Sequence, residues 1–255
     1  RRVSLALTAN NASATSSTLT IDTGFAANTA GWGSSGTALG SQVLFYDICS
    51  IADHLDATKI VATYNSNPIP GGLRFDASTM DLAKVITSPA SVSHAVILLG
   101  ITKPDAAAAE RELSEELNVA SIKRVIGRLM EWEIKPVYTS TESVFDGEKG
   151  NYIETDPANP VLTYGRQKVQ IEHYLQEICP ESVIARLALV LGSDPDEGTQ
   201  LTRWIDAIER HETIYCARDS VSSPVYVGDV AEAITRLIEL DLSGIFHVSS
   251  QSAIS

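Results

Sequence analysis

Basic residues are in short supply. Nineteen Lys and Arg stand against 32 Asp and Glu, a formal charge of −13 over 255 residues, and no run gathers them. The clustered cations that track a phosphate backbone are therefore missing, which excludes a nucleic-acid-binding surface while leaving room for a local basic pocket around a phosphorylated cofactor. Cysteine is scarcer still. Cys49, Cys179 and Cys216 are odd in number, far apart and set in apolar or helical stretches, so neither a disulfide framework nor a zinc site follows, and reduced thiols in a cytoplasmic protein are expected. The five histidines, His54, His94, His173, His211 and His247, share no i, i+4 spacing and no carboxylate partnership; no metal is expected. Nothing approaches the roughly eighteen apolar residues that cross a bilayer, and the opening, Arg1 to Thr20, holds only a six-residue apolar patch before polar Asn, Ser and Thr, neither anchor nor signal peptide. The chain begins at Arg1 without Met and ends at Ser255, the pattern expected of a processed or truncated chain.

What is present is ordinary globular material, 44% hydrophobic and 20% charged, arranged as alternating β-rich and helical runs. Strand candidates are Lys59 to Tyr64, Ala95 to Leu99, Lys135 to Thr139, Ser182 to Leu187, Ser223 to Val227 and Gly244 to Val248. Helical spacing covers Ser41 to Leu55, Asp105 to Glu131, Tyr164 to Ile178, Gly198 to His211 and Val227 to Leu240. This alternation predicts α/β architecture, a doubly wound parallel sheet covered on both faces. Trp132 and Trp204 fall in the helical patterns and read as core or interface packing.

Tyr164 and Lys168 lie four apart in one of these helices, with Ser140 and Thr141 some twenty residues upstream at a strand end. Positions i and i+4 share a helix face about 5 to 6 Å apart, so an ammonium can sit beside a phenol of ordinary pKa about 10 and favour its ionised form, making an acid/base usable near neutral pH. Taken alone, the pair is far more often an accident on an amphipathic surface.

The stretch from Gly31 to Gly40 places Gly33, Ser34, Ser35 and Gly36 before the first long helix. There, backbone amides and the helix dipole can hold a pyrophosphate, although a Gly/Ser-rich loop is also a plain linker. Two framings fit: Gly31, Gly33 and Gly36, or Gly33, Gly36 and Gly40. The preceding strand is Leu19 to Ile21 or Val3 to Leu7, and either leaves an unusually long loop. After Tyr64 come Asn65, Ser66 and Asn67, with no carboxylate to bind a ribose diol or repel a 2′-phosphate; NADP is favoured, NAD possible. Arg74 is a remote candidate for that phosphate, and Asp76 could reach an adenine amino group or simply be a loop carboxylate.

The block Thr139-Ser140-Thr141-Glu142-Ser143-Val144-Phe145-Asp146-Gly147, followed by Tyr152, Glu154, Asp156, Pro160 and Tyr164-Gly165-x-x-Lys168, resembles the extended short-chain dehydrogenase/reductase superfamily, nearest its dTDP-4-dehydrorhamnose reductase branch. Leu98-Leu99-Gly100, Asn118-Val119, Arg186 to Gly192, Val225 to Ala231 and Gly244 to Ser249 extend the likeness over about residues 40 to 250. The resemblance implies a Rossmann fold, with an atypical extension over 1–30, a dinucleotide-binding domain over 31–185, and a mainly substrate-binding part over 186–255 that returns a strand and a helix to the sheet. It implies Tyr164 as proton donor, Thr141 as hydrogen-bond donor to the substrate carbonyl, and Lys168 as the residue that lowers the Tyr164 pKa and binds the nicotinamide ribose, with Ser140 supporting the loop. Gly33, Ser34, Ser35, Gly36, Asn65, Ser66, Asp76, Leu99, Gly100, Tyr164 and Lys168 would face the cofactor; Glu142, Val144, Phe145 and Arg186 the substrate.

The implied activity is NAD(P)-dependent reduction of a 4-keto nucleotide sugar by a homodimer paired through the helices Asp105 to Glu131 and Tyr164 to Ile178. A regulatory, cofactor-binding subunit of the same fold and a sugar-nucleotide epimerase are the alternatives. Dehydratases of this superfamily carry an Asp-Glu pair after the Thr, where this chain has Glu142 and Ser143, so elimination lacks its second carboxylate; the reductase branch has Asp-Tyr there, and this chain departs from that too. The N-terminus departs most, since some thirty residues precede the glycine loop.

Overall fold

A strand buried on both faces has no polar side to show, and the sequence of Val92–Leu98 is apolar almost throughout for that reason. In the computed structural model, which describes residues 2–8, 60–65, 68, 72–192, 200–215, 220–251 and 253–254, this segment is β4 of a seven-stranded parallel sheet. The order is β3-β2-β1-β4-β5-β6-β9, where β1 is Arg2–Thr8, β2 Ile60–Tyr64, β3 Leu73–Arg74, β5 Lys135–Thr141, β6 Val183–Leu187 and β9 Gly244–Val248. Strand order reverses between β1 and β4, whose ends meet at Thr8 opposite Leu98. In open parallel sheets that reversal leaves a crevice at the carboxyl ends of the strands.

Successive side chains on a strand point to opposite faces, and the two faces collect separate cores. Val96 and Leu98, with Val137, Val183, Ala185 and Leu187, pack on Val230, Ala231, Ile234 and Ile238 of a helix over Val227–Glu239. Ala95, Ile97 and Leu99 pack the other way, on Ile122, Val125, Ile126 and Leu129, and the same layer takes in Ile171 and Leu175. These come from helices Ser121–Glu131 and Thr163–Ile178. Ile122, Ile126 and Leu129 are fully buried, each contributing on the order of 2 kcal/mol by transfer from water. In chain order the helices are α1 Pro104–Ala109, α2 Arg111–Glu115, α3 Ser121–Glu131, α4 Thr163–Ile178, α5 Gln200–Glu209 and α6 Val227–Glu239.

The doubly wound sheet expected from the alternation is present, and its strand between β2 and β4, β1, is the Val3 to Leu7 candidate. The other candidate, Leu19 to Ile21, lies outside the described residues, as do the glycine loop and the helix expected over Ser41 to Leu55. Two expectations are corrected. The strand expected over Ser223 to Val227 is the short β8, Val225–Tyr226, which pairs with β7, Val190–Leu191, in a separate two-stranded sheet. The continuous helix expected over Asp105 to Glu131 is interrupted, first at Glu110, with φ −108° and ψ 58°, and then by a π-helical turn, Glu116–Ala120. Neither Gly nor Pro causes the breaks. Buried polar groups hold them: the Ser114 hydroxyl donates to Ala107 O across the first, and the π turn carries Asn118, whose amide bonds both backbone groups of Ile101.

Candidate active site

The last three residues of β5, Thr139, Ser140 and Thr141, are polar yet buried, so each hydroxyl has to find a partner inside the protein. Thr139 Oγ1 donates to Ile97 O at 2.9 Å, tying the strand to β4. Thr141 Oγ1 accepts from Ser143 N at 3.1 Å and caps a short 3₁₀ turn, Glu142–Val144. The loop beyond is organised around Asp146, which accepts hydrogen bonds from the Tyr152 hydroxyl, from Asn159 Nδ2 at 2.8 Å and from Glu148 N at 3.0 Å. Phe145 stacks on Tyr152 with centroids 4.2 Å apart. These contacts return the chain to the start of α4 directly above the turn it left.

Gly165 makes that close return possible. A Cβ there would lie 2.1 Å from Ser143 O and 2.9 Å from Pro160 Cβ, so the first turn of α4 rests on bare backbone. Tyr164 is thereby set against Thr141, with which its phenol shares a hydrogen bond. Its ring is buried among Ile101, Ala106, Ala107 and Leu117. One turn later Lys168, 3% exposed, donates from Nζ to Thr139 O at 2.6 Å, with Nζ 4.7 Å from the Tyr138 ring centroid and 5.6 Å from that of Tyr164.

Burial governs the titration of both groups. It pushes the Tyr164 phenol above its ordinary range, against the opposing Thr141 hydrogen bond, and it pulls the Lys168 ammonium down to about 7, against the attraction of Glu172. The lowering of the Tyr164 pKa expected from Lys168 gives way to a net rise: desolvation is the largest influence and the Thr141 hydrogen bond the one that opposes it, while Lys168 Nζ donates to the Thr139 carbonyl. A phenol held neutral in a shielded site is a proton donor.

Behind this pair lies a buried charge cluster that residue spacing did not disclose. Glu172 accepts from the Ser140 hydroxyl and from Arg186 Nη2 at 2.7 Å. Asn118 and Gln167 were also missed: Asn118 Nδ2 donates to Gln167 Oε1 at 2.8 Å, and Gln167 Nε2 donates to Ser114 Oγ at 3.0 Å, locking α4 to the broken helix. The available signal was a set of polar residues, Gln167, Lys168 and Glu172, on the stripe of α4 that also carries Ile171 and Leu175.

Of the residues expected to face a substrate, Phe145 and Glu142 border the turn, but two are engaged elsewhere. Val144 is fully buried, leaving its side chain no open face. Arg186 is 5% exposed, ion-paired to Glu172 and stacked 5.1 Å over Phe145. The Glu142 side chain reaches solvent, yet surrounding protein crowds the carboxylate and its pKa is raised by desolvation, with the Leu189 amide opposing. Among expected cofactor residues, Leu99 is buried in the core, while Gly100, φ +133°, lies so close to Asn118 that a Cβ would meet Oδ1 at 2.5 Å. Asn65 follows β2 directly. Asp76 lies beyond the sheet edge and accepts from Ser78 N and Oγ at 3.0 and 2.6 Å, so its own turn occupies one oxygen. Gly33, Ser34, Ser35, Gly36 and Ser66 lie outside the described residues. Among the described residues no cluster could hold a metal, and no helix is long and apolar enough to cross a membrane.

The profile of the RmlD substrate binding domain family matches residues 70–255. A probable low-salt glycan biosynthesis reductase, Agl14 of Haloferax volcanii, is 35% identical over 127 residues, 48% of this chain and 42% of that protein. The chain spans about half the length of the curated relatives it matches. Among solved structures, a hypothetical dTDP-4-dehydrorhamnose reductase from Sulfolobus tokodaii superposes with a TM-score of 0.73 at 24% identity, covering 84% of this chain and 76% of that one. MoeE5 in complex with UDP-glucose and NAD superposes with a TM-score of 0.72 at 20% identity, covering 82% and 75%.

Proposed function

The chain belongs to the RmlD substrate binding domain family, and on that membership, together with the buried group Thr141, Tyr164 and Lys168, we propose that it is an NAD(P)-dependent oxidoreductase that reduces the 4-keto group of a nucleotide-activated sugar. The observation that carries the reading is Tyr164, a phenol kept neutral by burial and hydrogen-bonded to Thr141. As charge builds on the substrate carbonyl oxygen, Tyr164 delivers its proton to it and Thr141 donates a hydrogen bond to the same oxygen. Lys168 stabilises the phenolate left behind. The nicotinamide cofactor supplies the hydride when bound.

The crevice at the β1/β4 reversal suits a dinucleotide, with Leu99 and Gly100 on its rim, Lys168 toward the nicotinamide ribose and Asn65 toward the adenosine end. Because Asn65 brings no carboxylate, NADP is the favoured cofactor and NAD the second. MoeE5 with UDP-glucose and NAD, and Agl14 by its name as a reductase, support the same substrate and reaction class. Elimination is disfavoured, because Ser143 stands where a second carboxylate would be needed. A cytoplasmic homodimer paired through the segment Asp105 to Glu131 and through α4 belongs to the same proposal.

The test is nicotinamide absorbance with purified protein and a panel of keto-sugar nucleotides, alongside NADPH and NADH titrations by fluorescence. Turnover with at least one keto sugar, and tighter NADPH binding, are expected. Nucleotide binding without turnover on any member would favour the regulatory alternative instead.

A further inference from the structure

One buried charge beside Lys168 has no part in the proton transfer. Glu172 lies on the same face of α4, one turn beyond Lys168, and is 2% exposed. Its carboxylate is fully engaged: Oε1 accepts from Ser140 Oγ and, at 3.1 Å, from Arg186 Nε, and Oε2 accepts from Arg186 Nε at 3.2 Å and Nη2 at 2.7 Å. Desolvating both members of such a pair offsets most of their attraction, so stability alone accounts poorly for it. Its location suggests another use. Ser140 adjoins Thr141, the Thr139 carbonyl receives Lys168, and Glu172 shares a helix with Tyr164 and Lys168, so the cluster pins the end of β5 to the face of α4 that holds the phenol and the ammonium.

The groups facing Lys168 are few. Tyr164 and Glu172 stand on α4, Tyr138 and the Thr139 carbonyl on β5, and Arg186 approaches from β6 through Glu172. Glu154 and His247 lie on the far side of Arg186, linked by the His247 N–H to Glu154 Oε1 at 3.0 Å. Resting on the reductase reading, we infer that Glu172 is a positioning residue which, clamped by Arg186 and Ser140, keeps Lys168 an ammonium and holds Thr141 in place against Tyr164. Arg186 limits the effect by neutralising part of the carboxylate. Glu172 is the charge that opposes the burial-driven fall of Lys168.

The test is the titration of Lys168 itself, followed by NMR of protein labelled at lysine Cε and assigned with Lys168→Met, in the full chain without substrate. Glu172→Gln should move the Lys168 pKa down and Arg186→Met should move it up, each by about one unit, a tenfold change in the ammonium-to-amine ratio. A merely structural role would loosen the site in both variants and shift Lys168 in the same direction, toward its solvent value; that result, or no shift in either, overturns the inference. Should an unpaired buried partner prevent either variant from folding, the doubly substituted Glu172→Gln, Arg186→Met protein reads the same quantity. Its Lys168 must titrate lower than wild type, and an unchanged value contradicts the inference. No turnover enters the measurement, so a protein that reduces no keto sugar but shows the opposed shifts loses the reductase reading alone, and an active one without them loses only the role of Glu172.

Discussion

Replacing Gly165 by Ala should damage this protein, although helix propensity points the other way. Ala stabilises a helix interior by about 1 kcal/mol relative to Gly. At Gly165, however, the added methyl would sit 2.1 Å from Ser143 O and 2.9 Å from Pro160 Cβ. Real Cβ contacts begin near 3.0 Å or more, and a backbone carbonyl cannot rotate away as a flexible side chain would, so α4 must lift from the 142–144 turn by about an ångström. Overpacking of this kind costs about 1 to 3 kcal/mol, and the 2.1 Å approach to a backbone carbonyl puts this site at the upper end, for a net loss of up to about 2 kcal/mol after the propensity gain. In a domain of this size that lowers Tm by a few degrees, about 2 to 4 °C per kcal/mol. The same displacement separates Tyr164 from Thr141, and a misplacement of about 1 Å can cost on the order of a hundredfold in rate. Gly127, in α3, is the control: a Cβ there meets nothing within 4 Å, so Gly127→Ala should gain up to about 1 kcal/mol and leave turnover unchanged. Thermal melts and keto-sugar reduction on both variants decide the matter. A Gly165→Ala protein as stable and active as wild type would refute the reasoning, as would equal damage from Gly127→Ala.

Other consequences follow from burial and charge. Lys168 titrates near 7 when folded and near 10.5 when unfolded; between those values the unfolded chain holds more protons, so stability should rise with pH across that window, and Lys168→Met should flatten the rise in denaturant melts read at successive pH values. Asp146 is the opposite case, lowered from 3.8 to about 2, first by the Tyr152 hydroxyl. The stability it contributes is present above about pH 4 and lost as pH falls through about 2, and Tyr152→Phe should diminish that acid loss in the same melts. Leu129, with no exposed surface in the layer beneath β4, should cost about 2 to 5 kcal/mol on truncation to Ala, measurable by urea unfolding.

Parts of this architecture were legible because local pattern and tertiary role coincide. Val183–Leu187, buried throughout, and the half-buried edge strand Gly244–Val248 are mostly apolar runs of strand length with turns on either side, which is enough to mark a strand of a covered parallel sheet. Tyr164 and Lys168 were legible because an i, i+4 pair is a statement about one helix. The breaks in the segment 104–131 were not, since Ser114 and Asn118 act through bonds to Ala107 and Ile101 that periodicity does not register. The Glu172–Arg186 pair was hidden for the same reason: its halves stand 14 residues apart on a helix and a strand. Arg186 accordingly read as a substrate contact when it is a buried counter-ion. Spacing also led to the wrong sign for Tyr164, because proximity to an ammonium is visible in a sequence and desolvation is not.

The central claim is that Tyr164 is the proton donor in carbonyl reduction. It is tested most directly by comparing wild type with Tyr164→Phe for turnover of a keto-sugar nucleotide, with cofactor affinity measured in parallel. The account predicts that NADPH still binds the variant while kcat falls by on the order of a hundredfold or more, the usual contribution of a positioned acid. Undiminished kcat in Tyr164→Phe, with the cofactor bound, would contradict it.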